Sequence, residues 1–148
     1  MNDPAMQNPS VPGASACEAA VTTASPARAI VLFAHGSRDP LWRQPMEAVA
    51  ARIAALSPGV PVACAYLELT QPDLPTAAAG LIADGASSVT VVPMFLGVGR
   101  HAREDLPELM EALREAHPTV AWTLQPAVGE RPALVELLAR IALEPPDA

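Results

Sequence analysis

Four apolar runs alternate along this chain with four amphipathic segments, and this alternation constrains the fold more than any other feature. Strands are predicted over Ile30 to Ala34, Val60 to Leu67, Ser88 to Met94 and Val120 to Leu124. Helices are predicted over Leu41 to Leu56, Pro72 to Asp84, Glu104 to Ala116 and Pro132 to Leu143. Such alternation favours a parallel sheet with helices on both faces. We therefore expect a three-layer, flavodoxin-like α/β fold with strand order 2-1-3-4.

Composition sets the expected boundaries of the domain. We predict a disordered extension over residues 1–27, a single domain over 28–143 and a flexible tail over 144–148. The extension is rich in Asn, Pro, Ser, Ala and Thr, and its lack of basic and long apolar regions argues against a secretory signal. Cys17 and Cys64 form no CxxC pair, which favours a reducing cytoplasm. Cys64 is expected to be a small buried side chain within a strand.

The charge balance excludes some partners. The net charge is −7, and the chain contains no Lys. An acidic chain without basic runs is a poor nucleic-acid binder. No apolar stretch reaches the roughly 18 residues of a transmembrane helix, so we expect no membrane partner.

Three polar residues follow predicted strands at equal intervals: His35, Glu68 and His101 are spaced 33 residues apart. A strand, a helix and a return strand occupy roughly 30 or more residues, so this spacing predicts that all three lie at one edge of the sheet. In the expected strand order, the two histidines follow the strands that flank the switch point, where ligands bind. Two imidazoles and a carboxylate suit a divalent transition metal, and we predict that all three are metal-binding and catalytic.

Each member of this set also has a simpler interpretation. His35 begins His-Gly-Ser-Arg-Asp, which can be an ordinary turn in which Ser37 or Asp39 caps the next helix. His101 can be part of a helix cap with Asp105-Leu106-Pro107, and Glu68 can be a solvated loop carboxylate. The pairing of the two histidines favours a functional site, whereas Glu68 stays open as ligand, base or bystander. His117 ends a helix and is assigned no chemistry.

Arginines and glycines surround the predicted site. Arg38, Arg100 and Arg103 can attract an anionic substrate, or they can pair with nearby carboxylates; the sequence leaves both open. The loop Phe95 to His101 contains two glycines but no complete nucleotide-binding motif. A histidine-phosphatase site is disfavoured because Ala34 precedes His35, where an Arg is expected.

Three motifs together resemble one family. They are Leu32-Phe33-Ala34-His35-Gly36-Ser37-Arg38, then Tyr66-Leu67-Glu68 with Gln71-Pro72, then Pro93-Met94-Phe95-Leu96 through Gly99, His101 and Asp105-Leu106-Pro107. In this combination the chain resembles the small sirohydrochlorin chelatases, the half-length class II chelatases of the CbiX/SirB-like type. The resemblance covers about Ala29 to Leu143.

The resemblance implies an activity and its residues. It implies ATP-independent insertion of Co²⁺ or Fe²⁺, as metal substrate and without a tightly bound cofactor, into sirohydrochlorin for cobalamin or sirohaem synthesis. The family's metal-binding histidines fall on His35 and His101, and its acidic residue falls on Glu68. It also implies a homodimer around a flat tetrapyrrole. The expected substrate-binding residues are Ser37, Arg38, Leu96, Gly97, Val98, Gly99, Arg100 and Arg103.

Two other functions remain open from the sequence. One is a non-enzymatic carrier of metal or tetrapyrrole that uses the same residues. The other is a flavodoxin-like module for a phosphorylated ligand, although no complete phosphate-binding motif supports it.

Overall fold

The computed structural model describes residues 27–146. Its strands are β1 (Arg28–Ala34), β2 (Val62–Tyr66), β3 (Ser88–Pro93) and β4 (Ala121–Leu124). Its α-helices are α1 (Gln44–Leu56), α2 (Leu74–Ala83), α3 (Arg100–Ala116) and α4 (Pro132–Leu143). Short 3₁₀ helices at Pro40–Arg43 and Val128–Glu130 precede α1 and α4. Residues 1–26 of the predicted disordered extension and the last two residues of the predicted tail lie outside the described residues.

The sheet is parallel throughout, with the strand order β2-β1-β3-β4. This confirms the order predicted from the sequence. Strand β1 is central: Leu32 is in register with Cys64 of β2 on one side and with Val92 of β3 on the other. The carboxyl ends of β1, β2 and β3 therefore lie side by side, and so do the loops that follow them.

The two faces of the sheet bury separate apolar clusters. Val31 and Phe33 of β1 point into a large cluster that also contains Leu74 of α2 and Met110 of α3. Leu32 and Ala34 point the other way, into a smaller cluster with Met46 of α1 and Tyr66 of β2. Successive residues of a strand face opposite sides, so β1 is covered on both. The α/β three-layer prediction is thereby confirmed.

Several predicted boundaries are wrong by a few residues. Helix α2 begins at Leu74 rather than Pro72, because the Asp73 carboxylate caps it by accepting from the Thr76 N–H at 2.9 Å. Strand β2 is shorter than Val60 to Leu67, since Val60 belongs to a turn in which its N–H donates to the Ser57 carbonyl. Helix α1 begins at Gln44, after the 3₁₀ turn, and Pro45 lies in its first turn as predicted.

The largest boundary error concerns α3, which begins at Arg100 and not at Glu104. Gly99 is its N-cap in extended conformation and supplies no side-chain cap, so the usual capping signal is absent from the sequence. The buried face starts with Ala102 and continues through Leu106 and Met110, and a small alanine contributes little to a hydrophobic pattern. His101 consequently lies in the first turn of a helix instead of in the preceding loop.

Helix α4 has the predicted bounds, but none of its residues is buried. Its aligned leucines therefore do not contribute a core face, in contrast with those of α3. Within residues 27–146, no helix is long and apolar enough to cross a membrane.

Candidate metal and tetrapyrrole site

The loops after β1 and β2 are joined by backbone hydrogen bonds beyond the ends of the strands. The Leu67 N–H donates to the Ala34 carbonyl at 2.8 Å, and the Glu68 N–H donates to the His35 carbonyl at 3.0 Å. The backbone pairing thus continues for two residues past the end of β2 and one residue past the end of β1. Glu68 and His35 are neighbours in backbone position, as their equal spacing in the sequence predicts.

Gly36 makes this close approach possible. Its φ is +95°, a conformation that side-chain-bearing residues rarely adopt, and a methyl group there would overlap the Glu68 carbonyl. Leu69, which follows Glu68, also has a positive φ of 62°. This non-glycine residue in the left-handed region lets the chain turn back, so that the Thr70 N–H donates to the Glu68 carbonyl at 2.7 Å.

Thr70 fixes the turn on the His35 side. The Ser37 N–H donates to Thr70 Oγ1 at 3.0 Å, and that hydroxyl donates to the Ser37 carbonyl at 2.8 Å. The Ser37 hydroxyl accepts from the Asp39 N–H at 3.1 Å, and Asp39 in turn caps the 3₁₀ helix through the Leu41 N–H. The simpler capping interpretation is therefore correct for Asp39. Because the Ser37 hydroxyl is engaged as an acceptor, its proton is still available to a ligand.

The His35 side chain is exposed and rests on Phe95. The two ring centroids are 4.4 Å apart, at an interplanar angle of 43°. Phe95 itself is buried and packs edge-on against Phe33 of β1. An apolar support below the imidazole restricts its position while leaving its outer face to solvent.

His101 reaches the site from the other side, on the first turn of α3. The preceding loop is anchored below by the Met94 N–H, which donates to the Phe33 carbonyl at 2.7 Å, and by Gly129, whose N–H donates to the Phe95 carbonyl at 2.9 Å. A methyl group at Gly129 would overlap the backbone of Leu96. The loop is therefore held closely on the 3₁₀ helix that precedes α4.

His35, Glu68 and His101 line a single cleft of about 540 Å³, together with Leu67, Gly99, Ala102 and Asp105. All three predicted residues are exposed. Within the described part of the chain, no three His, Cys, Asp or Glu side chains are grouped closely enough to hold a metal ion together. The structure thus brings the predicted set into one cleft, and their roles as ligands remain a prediction.

The predicted substrate-binding residues are distributed around this cleft. Arg100 Nε lies 3.1 Å from Glu104 Oε1. This ion pair is what the second interpretation of the arginines, pairing with nearby carboxylates, predicts. For Arg38 and Arg103, no ion pair within 4.0 Å is formed inside residues 27–146. Arg38 and Ser37 line a second, polar recess of about 240 Å³ with Arg43, Thr70 and Gln71. Arg103 and Val98 line a mostly apolar pocket of about 210 Å³ behind the β3–α3 loop.

The tip of the β3–α3 loop is open to solvent. Leu96 is 67% exposed, Gly97 and Gly99 are exposed, and Val98 is half-buried. Leu69, which follows Glu68, is 55% exposed. Exposed leucines beside a polar cleft are a suitable surface for a flat apolar ligand.

Sequence reasoning missed four residues that shape this site: Thr70, Phe95, Asp105 and Gly129. Asp105 had a usable signal, since it follows His101 by four residues and so shares a helix face with it. Phe95 belongs to the third of the three motifs, whereas Thr70 and Gly129 had no signal, because their roles depend on contacts between separate loops.

Cys64 and Tyr66, which lie away from the cleft, both have raised pKa values. Burial, followed by the nearby Glu47 carboxylate, raises the pKa of the Cys64 thiol. Cys64 is half-buried rather than fully buried as predicted, and its thiol is free. Burial also raises the pKa of Tyr66, with the neighbouring Cys64 as the second cause. Neither group is poised to ionise near neutral pH.

Comparison with known proteins agrees with this fold and arrangement. The CbiX family model matches residues 29–144. The chain therefore belongs to the CbiX family. This confirms the resemblance inferred from the three motifs.

Among curated relatives, the chain is 33% identical over 82 residues to the sirohydrochlorin cobaltochelatase of Methanococcus aeolicus, covering 55% of this chain and 57% of that protein. It is 32% identical over 89 residues to the sirohydrochlorin cobaltochelatase of Methanocaldococcus jannaschii, covering 60% of this chain and 62% of the relative. The matches thus span somewhat under two thirds of the relatives' lengths.

Two crystal structures share the fold. A CbiX protein from Marinobacter aquaeolei, described as belonging to cobalamin biosynthesis, has a TM-score of 0.67 and 33% identity, over 78% of this chain and 93% of that one. The sirohydrochlorin chelatase SirB from Bacillus subtilis, in complex with cobalt, has a TM-score of 0.66 and 25% identity, over 76% of this chain and 48% of SirB.

Proposed function

We propose that this protein is a sirohydrochlorin chelatase that inserts Co²⁺ or Fe²⁺ into sirohydrochlorin without ATP. The observation that carries the proposal is the placement of His35, His101 and Glu68 in one cleft of a CbiX-family domain. Relatives named sirohydrochlorin cobaltochelatase support the substrate, and the SirB complex with cobalt supports the metal.

The two imidazoles are suited to holding a metal for transfer. Neutral imidazole binds Co²⁺ and Fe²⁺, and two such ligands leave coordination positions for the nitrogens of an incoming ring. Both side chains are exposed, so a metal can reach them from solvent and leave them for the macrocycle. His35 is supported by Phe95, whereas His101 is supported by its helix.

Insertion also releases protons. When a divalent metal replaces two pyrrole N–H protons, those protons need an acceptor near the ring centre. The Glu68 carboxylate lines the same cleft as His35, whose carbonyl accepts from the Glu68 N–H, and either histidine can also accept a proton when it is not bound to metal. We assign proton acceptance to Glu68 because the histidines are engaged with the metal.

Recognition of the tetrapyrrole would use both the charges and the apolar tips of the loops. Sirohydrochlorin carries many carboxylates around a flat ring, and Arg38 and Arg103 have guanidinium groups without ion-pair partners among residues 27–146. Arg100 would exchange its exposed Glu104 contact for a substrate carboxylate at small cost, since exposed pairs contribute about 0–1 kcal/mol.

Leu96 and Val98 would pack against the face of the ring, with the glycines Gly97 and Gly99 permitting close approach. The Ser37 hydroxyl would donate a hydrogen bond to the substrate.

The proposal also covers the compartment, the oligomeric state and the partners of the enzyme. We propose a cytoplasmic homodimer with no tightly bound cofactor and with neither nucleic acid nor membrane as a partner. The free Cys64 and the net charge of −7 support this setting.

The direct test is a spectral assay of insertion. Purified protein, sirohydrochlorin and Co²⁺ or Fe²⁺ are mixed without ATP under anaerobic conditions, and the absorbance change is followed against a protein-free control. We expect a rate well above the control that ATP does not alter. Binding of metal and tetrapyrrole without any rate enhancement would identify a carrier instead and would overturn the proposal.

A further inference from the structure

The imidazole of His35 has an aromatic neighbour but no polar partner among residues 27–146. Its ring centroid lies 4.4 Å from that of Phe95, at an interplanar angle of 43°. Within the same range, neither ring nitrogen forms a hydrogen bond or an ion pair. A metal-binding histidine usually donates its second ring N–H to a carboxylate or a carbonyl, which orients the ring and raises its basicity. In this part of the chain, Phe95 takes the place of such a partner.

Phe95 is itself held by its side chain and by its backbone. The side chain is 2% exposed and packs edge-on against Phe33 of β1, with ring centroids 5.9 Å apart. The carbonyl accepts from the Gly129 N–H at 2.9 Å, and the backbone of the following residue lies against Gly129. Phe95 does not line the cleft that contains His35. It can therefore act on a ligand in that cleft only through the residues that it supports.

The backbone of Phe95 also leads to the second histidine. The loop that follows Phe95 ends at the N-cap of α3, Gly99, and His101 lies in the first turn of that helix. The start of this loop is fixed by the hydrogen bond from Gly129. One buried residue thus supports His35 through its side chain and anchors the segment that carries His101 through its backbone.

We propose that Phe95 is a positioning residue for metal transfer, whose ring fixes the orientation of His35 without strengthening the hold of the imidazole on the metal. This inference rests on the proposed function, in which His35 is a metal ligand. A carboxylate partner would make the imidazole more basic and therefore a tighter ligand. An apolar ring restricts rotation of the imidazole and adds no negative charge. Such a support suits a ligand that first captures Co²⁺ or Fe²⁺ and then releases it to a macrocycle.

The first test measures the ring contact itself, without metal or tetrapyrrole. The chain contains three histidines, so NMR can resolve their ring protons, and the variant His35→Ala assigns the His35 signals. We expect the ring current of Phe95 to shift these signals, and Phe95→Leu to return them towards the positions of a free imidazole. Leu113→Ala is the matched control. Leu113 is 3% exposed in the same apolar cluster, near the far end of α3, and the two substitutions remove equal numbers of carbon atoms.

The second test measures how the full chain binds and transfers the metal. Isothermal titration with Co²⁺ alone should give an about 3- to 10-fold weaker affinity for Phe95→Leu, the range expected when an aromatic pair is lost. In the insertion assay, kcat of this variant should fall by about 10-fold or more, because a misplaced ligand slows transfer. The KM for sirohydrochlorin should stay unchanged, since Phe95 does not line the cleft. Leu113→Ala should lose a similar amount of thermal stability and keep the wild-type Co²⁺ affinity and kcat.

The two tests separate this role from the enzymatic function. Unshifted His35 signals in the wild type, or equal Co²⁺ affinity and kcat in Phe95→Leu and Leu113→Ala, would overturn the proposal. Insertion by the wild type that Phe95→Leu does not reduce refutes the positioning role alone. A wild type with shifted His35 signals but no insertion refutes the enzymatic function, and the Co²⁺ affinity of Phe95→Leu then decides the positioning role.

Discussion

The Cα of Gly36 lies against the backbone carbonyl of Glu68, so closely that no side chain fits between them. This contact joins the turn that carries His35 to the turn that carries Glu68. The carbonyl is further fixed because it accepts from the Thr70 N–H. The relative position of two predicted site residues thus depends on a glycine that has no chemistry of its own.

We expect Gly36→Ala to destabilise the domain by roughly 1–3 kcal/mol, because the added methyl group meets backbone and the φ of +95° is strained for alanine. Gly80→Ala is the matched control. Gly80 lies inside α2 with nothing within 4 Å of an added Cβ, so alanine there should stabilise by about 0.5–1 kcal/mol. Urea unfolding measures both changes, and equal free energies of unfolding for the two variants would contradict the contact.

The hydroxyl of Thr70 should contribute to stability through its two hydrogen bonds with Ser37. Thr70→Val keeps the shape but leaves the Ser37 N–H and carbonyl without these partners, at a cost of about 1–3 kcal/mol. Thr123→Val, at an exposed position of β4, is the control and should change the unfolding free energy by less than about 0.5 kcal/mol. An unaffected midpoint for Thr70→Val would show that the turn does not need this pair of bonds.

The N-cap of α2 should make stability depend on pH. The hydroxyl and N–H of Thr76 donate to the Asp73 carboxylate and lower its pKa. A lowered folded-state pKa means that the contribution is present above the ordinary carboxyl pKa and is lost as the pH falls through the folded value. Asp73→Ala should therefore lower the melting temperature at pH 7, and the gap should shrink in acid. Asp84→Ala, at the C-cap of the same helix, should show no such loss.

The strand order could be predicted because each central strand is a continuous apolar run, and the edge that carries the site followed from that order. The placement of His101 on a helix could not be predicted, since Gly99 provides no capping side chain and Ala102 is too small to mark a face. The exposure of the apolar face of α4 could not be predicted either, because periodicity identifies an apolar stripe and not what covers it. The Thr70–Ser37 bonds depend on two loops meeting in space, which no local pattern encodes.

The role of Glu68 can be isolated because its backbone, not its carboxylate, holds the loop in place. Glu68→Gln preserves size and the N–H bond to His35, so the fold should persist. If the carboxylate accepts a pyrrole proton, we expect the insertion rate to fall by about 100-fold or more. Glu115→Gln, an exposed position on α3, is the control. An unchanged rate would make Glu68 a bystander, while a loss of Co²⁺ affinity in the absence of tetrapyrrole would indicate a ligand.

His101 provides the most direct test of the histidine pair. Its side chain is exposed in the first turn of α3, so His101→Ala should leave the circular dichroism spectrum and melting temperature nearly unchanged. Removal of one of two imidazoles should nevertheless lower the insertion rate by at least about 100-fold, because metal delivery loses half of its nitrogen ligands.

His117→Ala is the matched control for this variant. His117 lies at the C-cap of the same helix, with its ring 6.2 Å from that of Trp122, and it has no proposed part in insertion. Its variant should keep the wild-type rate. Isothermal titration with Co²⁺ alone adds a second readout, since His101→Ala should weaken metal binding and His117→Ala should not. A wild-type insertion rate in folded His101→Ala protein would rule out the proposed metal transfer through this residue.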